Sequence, residues 1–590
     1  MSWVPHSSLK GPAGLVRISA SQLDVQGGCS EFAALKARPR VWPRSFEERR
    51  YAPWETFPLG LVMSALDGVE FGGLDAEVSV QKVLEEARGM VHPGVETWVR
   101  HAVATYLEDS RWLADEVGDV VLLPHPEARV VQHVGSALEV RALTGWGRWY
   151  ASADGSVREV RRLRVGRMGT GEDPSNLALA HVTAFGARAA GSVYRDLPVE
   201  VRADPAEARR VRVVEVVVSD ERVPKVVVDA APGEVARVYR ERAQPVAADI
   251  VFGGSRRPGS DCADCKLRAE CGALPHVPGL LGLGGRGTHR RVWSASTAGQ
   301  YRICPAQAHL RDQRLPGDWS DHPAIRRGTL VHSWLEAAHA RFPYRGCSED
   351  DLPEAGNHGI GLAAEFMTAD EYRQVRPYLL SHLEACPLRE PAGVTSVTVE
   401  PSVAAYDSQA DVLVVARPDL VYVKEGRTVY REQKTTGDPD GWEADGLFER
   451  VPQLALAVCL VADGAFGGEA PVAGTVELEV MTPVGASLFS FDTGDADVVV
   501  RARAELTKLT GAWHTDVEFR AVPGEHCATC PVARWCPDRY ESPGSGPIDV
   551  DGVLIDPLTG EILNEAPVTG LAQAVAAGIS EPDADDEPPF

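Results

Sequence analysis

The sequence predicts an α/β protein of two tandem domains, each a mixed β-sheet flanked by helices and tied by a four-cysteine metal site. Three observations predict this. A chain of 590 residues exceeds what one hydrophobic core organises, so two units are expected. A four-cysteine constellation occurs twice, once in each half. Helix-like and strand-like runs alternate along the second half, which is the pattern of helices packed on a mixed sheet.

The cysteines come first in the chain. Cys29 follows Ser19-Ala20-Ser21 at the same spacing at which Cys304 follows Ser294-Ala295-Ser296. Each is completed by Cys-x2-Cys-x5-Cys, namely Cys262, Cys265 and Cys271, then Cys527, Cys530 and Cys536. Other echoes keep their order. Leu61-Val62-Met63-Ser64 parallels Leu330-Val331-His332-Ser333, Gly155 to Gly166 parallels Gly426 to Gly437, and Asn176-Leu177-Ala178-Leu179-Ala180 parallels Gln453-Leu454-Ala455-Leu456-Ala457. Ordered self-similarity of this kind predicts a tandem duplication. The expected units are a first domain over 1–276, a flexible Gly/Pro-rich linker over 277–290, a second domain over 291–540 and an acidic disordered tail over 541–590.

Charge and composition narrow the class. The net charge of −24 argues against a protein that coats nucleic acid non-specifically. Nearly half of that excess lies in the tail, with eleven Asp or Glu and no Lys or Arg, so a nucleic-acid cleft on the body remains compatible. No apolar run is long enough to span a bilayer and no secretory pattern opens the chain, so no membrane contact and a cytoplasmic location are expected. The eleven cysteines then read as metal ligands rather than disulfides. Cys347, Cys386 and Cys459 fall outside the constellation and read as small buried residues.

In the second half, Gly328 to Phe342 carries Leu330, Val331, Trp334, Leu335 and Ala338 at helical spacing. Val412–Val423 and Arg427–Lys434 read as strands joined at Lys424-Glu425-Gly426, and Pro452 to Leu460 as a buried helix. The strand arms carry Pro418-Asp419 and Glu432-Gln433-Lys434. Side chains two apart share a face, so Glu432 and Lys434 point the same way, and a turn near residue 425 puts Asp419 opposite Glu432. Two carboxylates there can hold a hard divalent ion such as Mg²⁺ or Mn²⁺, and Lys434 can position a water or stabilise developing charge. Only 8 of the 60 basic residues are Lys, so a lysine in Glu-x-Lys is a pointed choice where the chain otherwise uses Arg. By itself, the tripeptide also fits an ion-paired exposed strand.

These residues resemble the PD-(D/E)XK nuclease superfamily, and within it the RecB-like branch with iron–sulfur clusters that includes the nuclease domain of AddB and the CRISPR-associated exonucleases. The resemblance covers most of 291–540 and implies a restriction-endonuclease-like fold. By it, Ser294-Ala295-Ser296 with Tyr301 and Cys304 is the opening segment, and Gly328-Thr329-Leu330-Val331-His332 is a helical motif whose His332 is a metal ligand. Glu400, Asp419, Glu432 and Lys434 are active-site residues of the central strands, and Gln453 begins the glutamine helix, although Ala457 stands where an aromatic residue is expected. Four thiolates suit either zinc or an iron–sulfur cluster. The resemblance implies a 4Fe–4S cluster on Cys304, Cys527, Cys530 and Cys536, and a second on Cys29, Cys262, Cys265 and Cys271.

The first half lacks the nuclease residues. Aligned on its glycines it offers Arg148 for Asp419, Arg161 for Glu432, Leu163 for Lys434 and Met63 for His332, which reads as a degenerate copy. Its Arg158–Arg167 and Arg209–Arg212 runs either meet phosphates or decorate an exposed strand face. The expected function is a metal-dependent deoxyribonuclease, an exonuclease acting on single-stranded DNA or duplex ends in repair, recombination or CRISPR and phage defence. No Gly-x4-Gly-Lys-Ser/Thr loop occurs, so unwinding falls to a helicase or another defence or repair subunit in trans. The competing class is a non-catalytic DNA-binding or assembly scaffold with two structural metal clusters, and a third reading is a zinc-binding regulator.

Overall fold

The computed structural model describes residues 3–24, 28–44, 57–116, 119–135, 139–166, 168–194, 197–202, 204, 206–220, 222–318, 323–352, 367–438, 440, 442–466, 473–540, 548–550 and 553–555. In the first half the elements that matter are β1 (Leu15–Ser19), α1 (Pro58–Glu70), α2 (Pro93–Glu116), β2 (Leu123–His125), β3 (Arg129–Val134), β4 (Val140–Thr144), β5 (Arg148–Ala151), β6 (Val157–Arg164), α3 (Pro174–Phe185), β7 (Arg210–Val217) and β8 (Lys225–Ala230). In the second half they are β9 (Arg291–Trp293), α4 (Ala295–Ile303), α5 (Pro305–Asp312), α6 (Pro323–His339), α7 (Ala369–Ala385), β10 (Val394–Val399), β11 (Val403–Asp407), β12 (Val412–Ala416), β13 (Leu420–Lys424), β14 (Arg427–Thr435), α8 (Pro452–Ala462), β15 (Thr475–Thr482), β16 (Gly485–Asp492) and α9 (Ala496–Thr515).

The two halves share strand order and direction. The first has a sheet β8-β7-β6-β5-β2 in which only β6 and β7 run parallel. The second has β16-β15-β14-β13-β10, with only β14 and β15 parallel. Beside them, β1 runs parallel to β4 and β4 antiparallel to β3, just as β9 runs parallel to β12 and β12 antiparallel to β11. Mixed sheets flanked by helices are what the alternating sequence patterns require. Proline opens α1, α3, α5 and α8, where its missing N–H costs nothing. In α8 every residue from Leu454 to Val461 is buried, so this helix sits inside the core of the second half.

Each cysteine segment packs on the other half. Val532 and Trp535, from the last cysteine triplet, join the core built by α1 and α2, and the Trp535 ring lies 5.2 Å from His101. Cys262 and Leu274 join Ala404, Tyr406 and Leu413 of β11 and β12. Two backbone bonds fix that contact, Val277 N to Tyr406 O at 2.9 Å and Tyr406 N to Pro275 O at 2.8 Å. Among the described residues no helix is long and apolar enough to cross a membrane.

Three expectations need correction or bounding. The run 412–423 is two strands in different sheets, broken at Arg417-Pro418-Asp419, because proline has no N–H to continue the ladder. Its turn is the two-residue Glu425-Gly426, with φ of 53° and 77°, the left-handed pair that suits a tight hairpin. The segment expected to be a flexible linker is packed: Val277, Leu280, Leu281 and Leu283 are buried in the second-half core. There Gly279 N and Leu281 N donate to the Asp407 carboxylate at 2.9 and 3.0 Å. The acidic tail lies outside the described residues, except for a hairpin pairing Ile548–Val550 with Val553–Ile555.

Candidate metal-dependent nuclease centre

Strand β14 sorts its residues by alternation. Tyr430, Glu432 and Lys434 line one pocket. Arg431 and Gln433 face the other way, where Arg431 donates to Ala385 O at 2.7 Å and Gln433 Nε2 to Glu479 Oε2 at 2.8 Å. Asp419 is the next position beyond the Leu420–Arg431 pair, opposite Glu432, and its Oδ2 accepts the Gln433 amide at 2.6 Å. His332 on α6 reaches Asp419, Nδ1 to Oδ1 at 3.1 Å. Lys434 Nζ lies 3.0 Å from Glu432 Oε2, and the Tyr430 hydroxyl donates to Glu432 Oε1 at 3.2 Å. Asp419, Glu432, Lys434 and Gln453 therefore line one pocket, together with Ser294, Ala295 and Ser296. Ser260, from the first half's cysteine segment, borders the same space.

Glu400 stands apart: its amide donates to Asp419 O at 3.1 Å, but its carboxylate pairs with Arg417. Sequence reasoning missed Tyr430 and Arg417, both of which line the pocket. Tyr430 was findable, since it lies two residues before Glu432 on the same strand face.

The charges are strongly coupled. Burial pushes Glu432 up to about 7, with Lys434 pulling it down and Asp419 pushing it further up. Burial also opposes ionisation of Asp419, yet His332, Lys434 and the Gln433 amide hold its carboxyl below the usual range. Burial works against protonated His332, but the Asp419 carboxylate outweighs it and raises the imidazole. Lys434 is likewise raised, by Glu432, against the cost of burial. Two crowded carboxylates with an adjacent imidazole are a donor set that a hard divalent cation fits.

The corresponding pocket of the first half is bounded by Ser19, Ala20, Ser21 and Leu179, and it is lined by Arg162, Leu163 and Arg164. Arg162 pairs with Asp24 at 2.6 Å, and Arg164 pairs with Glu215 at 2.6 Å. The glycine alignment had put Arg161 and Leu163 in these places, one residue out. Arg161 instead faces α2, donating to Glu159 and Ser110, both at 2.7 Å. Arg148 occupies the next strand beneath α1, bound to Glu70, to Asp67 and to the Met63 carbonyl. The arginine runs are therefore neither a phosphate surface nor an exposed face at Arg158, Arg161, Arg162 and Arg212, which are buried among carboxylates and carbonyls.

Cys304 ends α4 and begins α5, and Cys29 caps the helix Ser30–Lys36, its Sγ accepting the Phe32 amide at 3.4 Å. Cys304, Cys527, Cys530 and Cys536 line one pocket. Burial first, and then the other cysteines, raise the thiols of Cys530 and Cys536. The same causes raise Cys262 and push Cys265 up to about 12. Thiols crowded in this way fit a bound metal centre, which relieves their mutual repulsion.

The comparisons follow this geometry. A family model of the PD-(D/E)XK nuclease superfamily matches residues 292–537. That span contains His332, Glu400, Asp419, Glu432, Lys434 and Gln453, as well as the second cysteine set. The span that carries the candidate site is therefore similar to the PD-(D/E)XK nuclease superfamily. No curated protein matches the chain. A solved structure titled "Crystal structure of SSO0001" is 12% identical, covering 42% of this chain and 88% of its own, with a TM-score of 0.22, too low to carry an argument.

Proposed function

We propose that the second half is a metal-dependent deoxyribonuclease of the RecB-like exonuclease type, acting on single-stranded DNA or duplex ends in repair, recombination or defence. A helicase or another repair or defence subunit supplies unwinding in trans. The observation that carries this reading is the meeting of Asp419, Glu432 and Lys434 in one pocket, with His332 on Asp419. Asp419 and Glu432 would hold Mg²⁺ or Mn²⁺, with His332 completing the donor set.

A bound divalent ion supplies Lewis acidity toward a phosphate oxygen. The chain's own residues do the rest. The Gln433 amide and His332 fix the Asp419 carboxylate, and the Tyr430 hydroxyl fixes that of Glu432. Lys434, whose Nζ lies 3.0 Å from Glu432 Oε2, would orient a water and stabilise charge on the phosphate. Gln453, which lines the pocket, positions the DNA strand. Glu400 acts at the edge of the site, through Arg417.

Each four-cysteine set holds a 4Fe–4S cluster. Cys304 with Cys527, Cys530 and Cys536 clamps the two ends of the nuclease half, and Cys29 with Cys262, Cys265 and Cys271 does the same for the first. The first half is read as a duplicated, degenerate copy over 1–276, supported by its matching strand order. For that half the scaffold reading is the stronger one, because Arg162 and Arg164 stand where the second half places Glu432 and Lys434. The test is digestion of end-labelled single-stranded and duplex DNA with Mn²⁺, comparing the wild type with Asp419→Asn and Glu432→Gln. Cleavage abolished by both changes and by a chelator supports the nuclease. Cleavage that either variant retains in full overturns the assignment.

A further inference from the structure

We propose that His339, Cys347, His382 and Cys386 form a tetrahedral zinc site, separate from the Asp419–Glu432 pocket and from both four-cysteine sets. The sequence reads Cys347 and Cys386 as ordinary small buried residues. The fold brings them together with His339 and His382. Their ligand atoms lie within 4.8 Å of one another, all four residues are buried, and among the described residues no other group of three or more His, Cys, Asp or Glu meets that spacing. With Zn–S near 2.3 Å and Zn–N near 2.1 Å, tetrahedral geometry separates a bound sulfur and nitrogen by about 3.6 Å. Cys386 Sγ and His339 Nε2 are 3.9 Å apart.

A second observation points to the ion independently. His382 is fully buried, and its Nε2 makes no hydrogen bond of ordinary geometry, with the Cys386 thiol as its neighbour. A buried polar nitrogen left this way is costly, so a ligand for it is expected. Its other nitrogen, Nδ1, lies 2.6 Å from Glu479 Oε1. A carboxylate on one imidazole nitrogen fixes the tautomer and leaves the lone pair of the other free, which is how metal-bound histidines are held. The thiolates are provided for as well. The Cys347 amide donates to Cys386 Sγ at 3.4 Å, and Arg341 Nη2 lies 4.0 Å from Cys347 Sγ. Two thiolates and two imidazoles select zinc over the hard ions of the nuclease pocket.

The placement says what the ion does. His339 is the last residue of α6, Cys347 lies in the loop that follows, and His382 and Cys386 close α7 one helical turn apart. One ion therefore ties α6 to α7. The same α6 carries His332 two turns earlier, and Glu479 continues to the Gln433 side chain, between Glu432 and Lys434. The ion sits on the far side of β14 from the pocket, bracing the strand that bears Glu432.

The test is zinc K-edge X-ray absorption and elemental analysis of the full chain purified under anaerobic, reducing conditions. The expected result is one zinc per chain with two sulfur and two nitrogen neighbours, lost in Cys347→Ala/Cys386→Ala while iron content is unchanged. Should that pair fail to fold, His339→Cys keeps a complete donor set, and its expected shell is three sulfurs and one nitrogen. Absence of zinc, an all-sulfur shell in the wild type, or a Cys347–Cys386 disulfide found by mass spectrometry would each overturn the proposal. None of these readouts depends on DNA cleavage, so the zinc site and the nuclease centre stand or fall separately.

Discussion

Arg148 offers the sharpest test of the claim that the first half's arginines form an internal ion-paired core. Its side chain is 2% exposed and meets Glu70, itself 12% exposed, and Asp67, which is 58% exposed. The Glu70 carboxylate also accepts the Tyr150 hydroxyl at 2.5 Å, and Tyr150 meets Tyr106 at 2.7 Å. Removing Arg148 strands Glu70 in a poorly solvated place, and breaking a buried pair this way costs about 3–5 kcal/mol. Asp67 adds little, because it is largely in water. For a unit of this size, each kcal/mol moves the melting temperature by about 2–4 °C, so Arg148→Met should lower it by roughly 6–20 °C. Replacing both partners, Arg148→Met/Glu70→Leu, removes the stranded charge and should recover most of the loss. Urea and thermal unfolding of the two singles and the double give the coupling directly. A coupling energy below about 0.5 kcal/mol, or strictly additive losses, would refute the reasoning.

The remaining predictions probe the packing between halves, its pH dependence and the cysteine sets. A Cβ at Gly94 would meet Leu310 at 2.8 Å and the Trp535 carbonyl at 3.0 Å, so Gly94→Val should push the last cysteine segment off α2. A loss of about 1–3 kcal/mol in unfolding experiments is expected, and wild-type stability would contradict the contact. The His92 and His309 rings lie tilted 5.4 Å apart at the same junction, where burial lowers His92 and pushes His309 down to about 3 from 6.5. Because the folded value of His309 is depressed, its contribution is complete above pH 6.5 and is lost as pH falls toward 3. Melting temperature should therefore drop less steeply below pH 6.5 in His309→Phe than in the wild type, and parallel profiles would contradict this. Cys304→Ala should lower iron and acid-labile sulfide by about half, leaving the first half's cluster in place. Unchanged iron would show that the second set holds none.

The strand pair that carries Asp419 and Glu432 was legible in the sequence because antiparallel pairing is arithmetic. Asp419 and Glu432 lie symmetrically about a turn at 425–426, and Glu432 and Lys434 share a face by alternation. The buried helix from Pro452 was legible from its unbroken apolar run. The first half's register was not. Its hairpin turns through a longer loop, Ser152 N to Val157 O, so aligning on Gly155 shifts the strand by one residue and exchanges its two faces. Arg162 and Arg164 then line the pocket on either side of Leu163, while Arg161, expected there, faces α2. The apolar residues hidden among the glycines of 277–290 outweighed linker composition, since Leu280 and Leu281 are fully buried. The His339 to Cys386 group escaped notice because its ligands are spread over two helices and a loop, with His382-x3-Cys386 as the one local sign.

The measurement that bears most directly on the account is single-turnover cleavage by Lys434→Ala beside its Mn²⁺ binding, both at about pH 8.5, where Glu432, at about 7, is ionised. Lys434 is assigned to chemistry and not to the ion. The variant should still bind Mn²⁺ and keep its cluster absorbance while cleaving at least about a hundredfold more slowly. Cleavage at the wild-type rate by a folded, Mn²⁺-bound Lys434→Ala protein would contradict the assignment of the nuclease centre to this pocket.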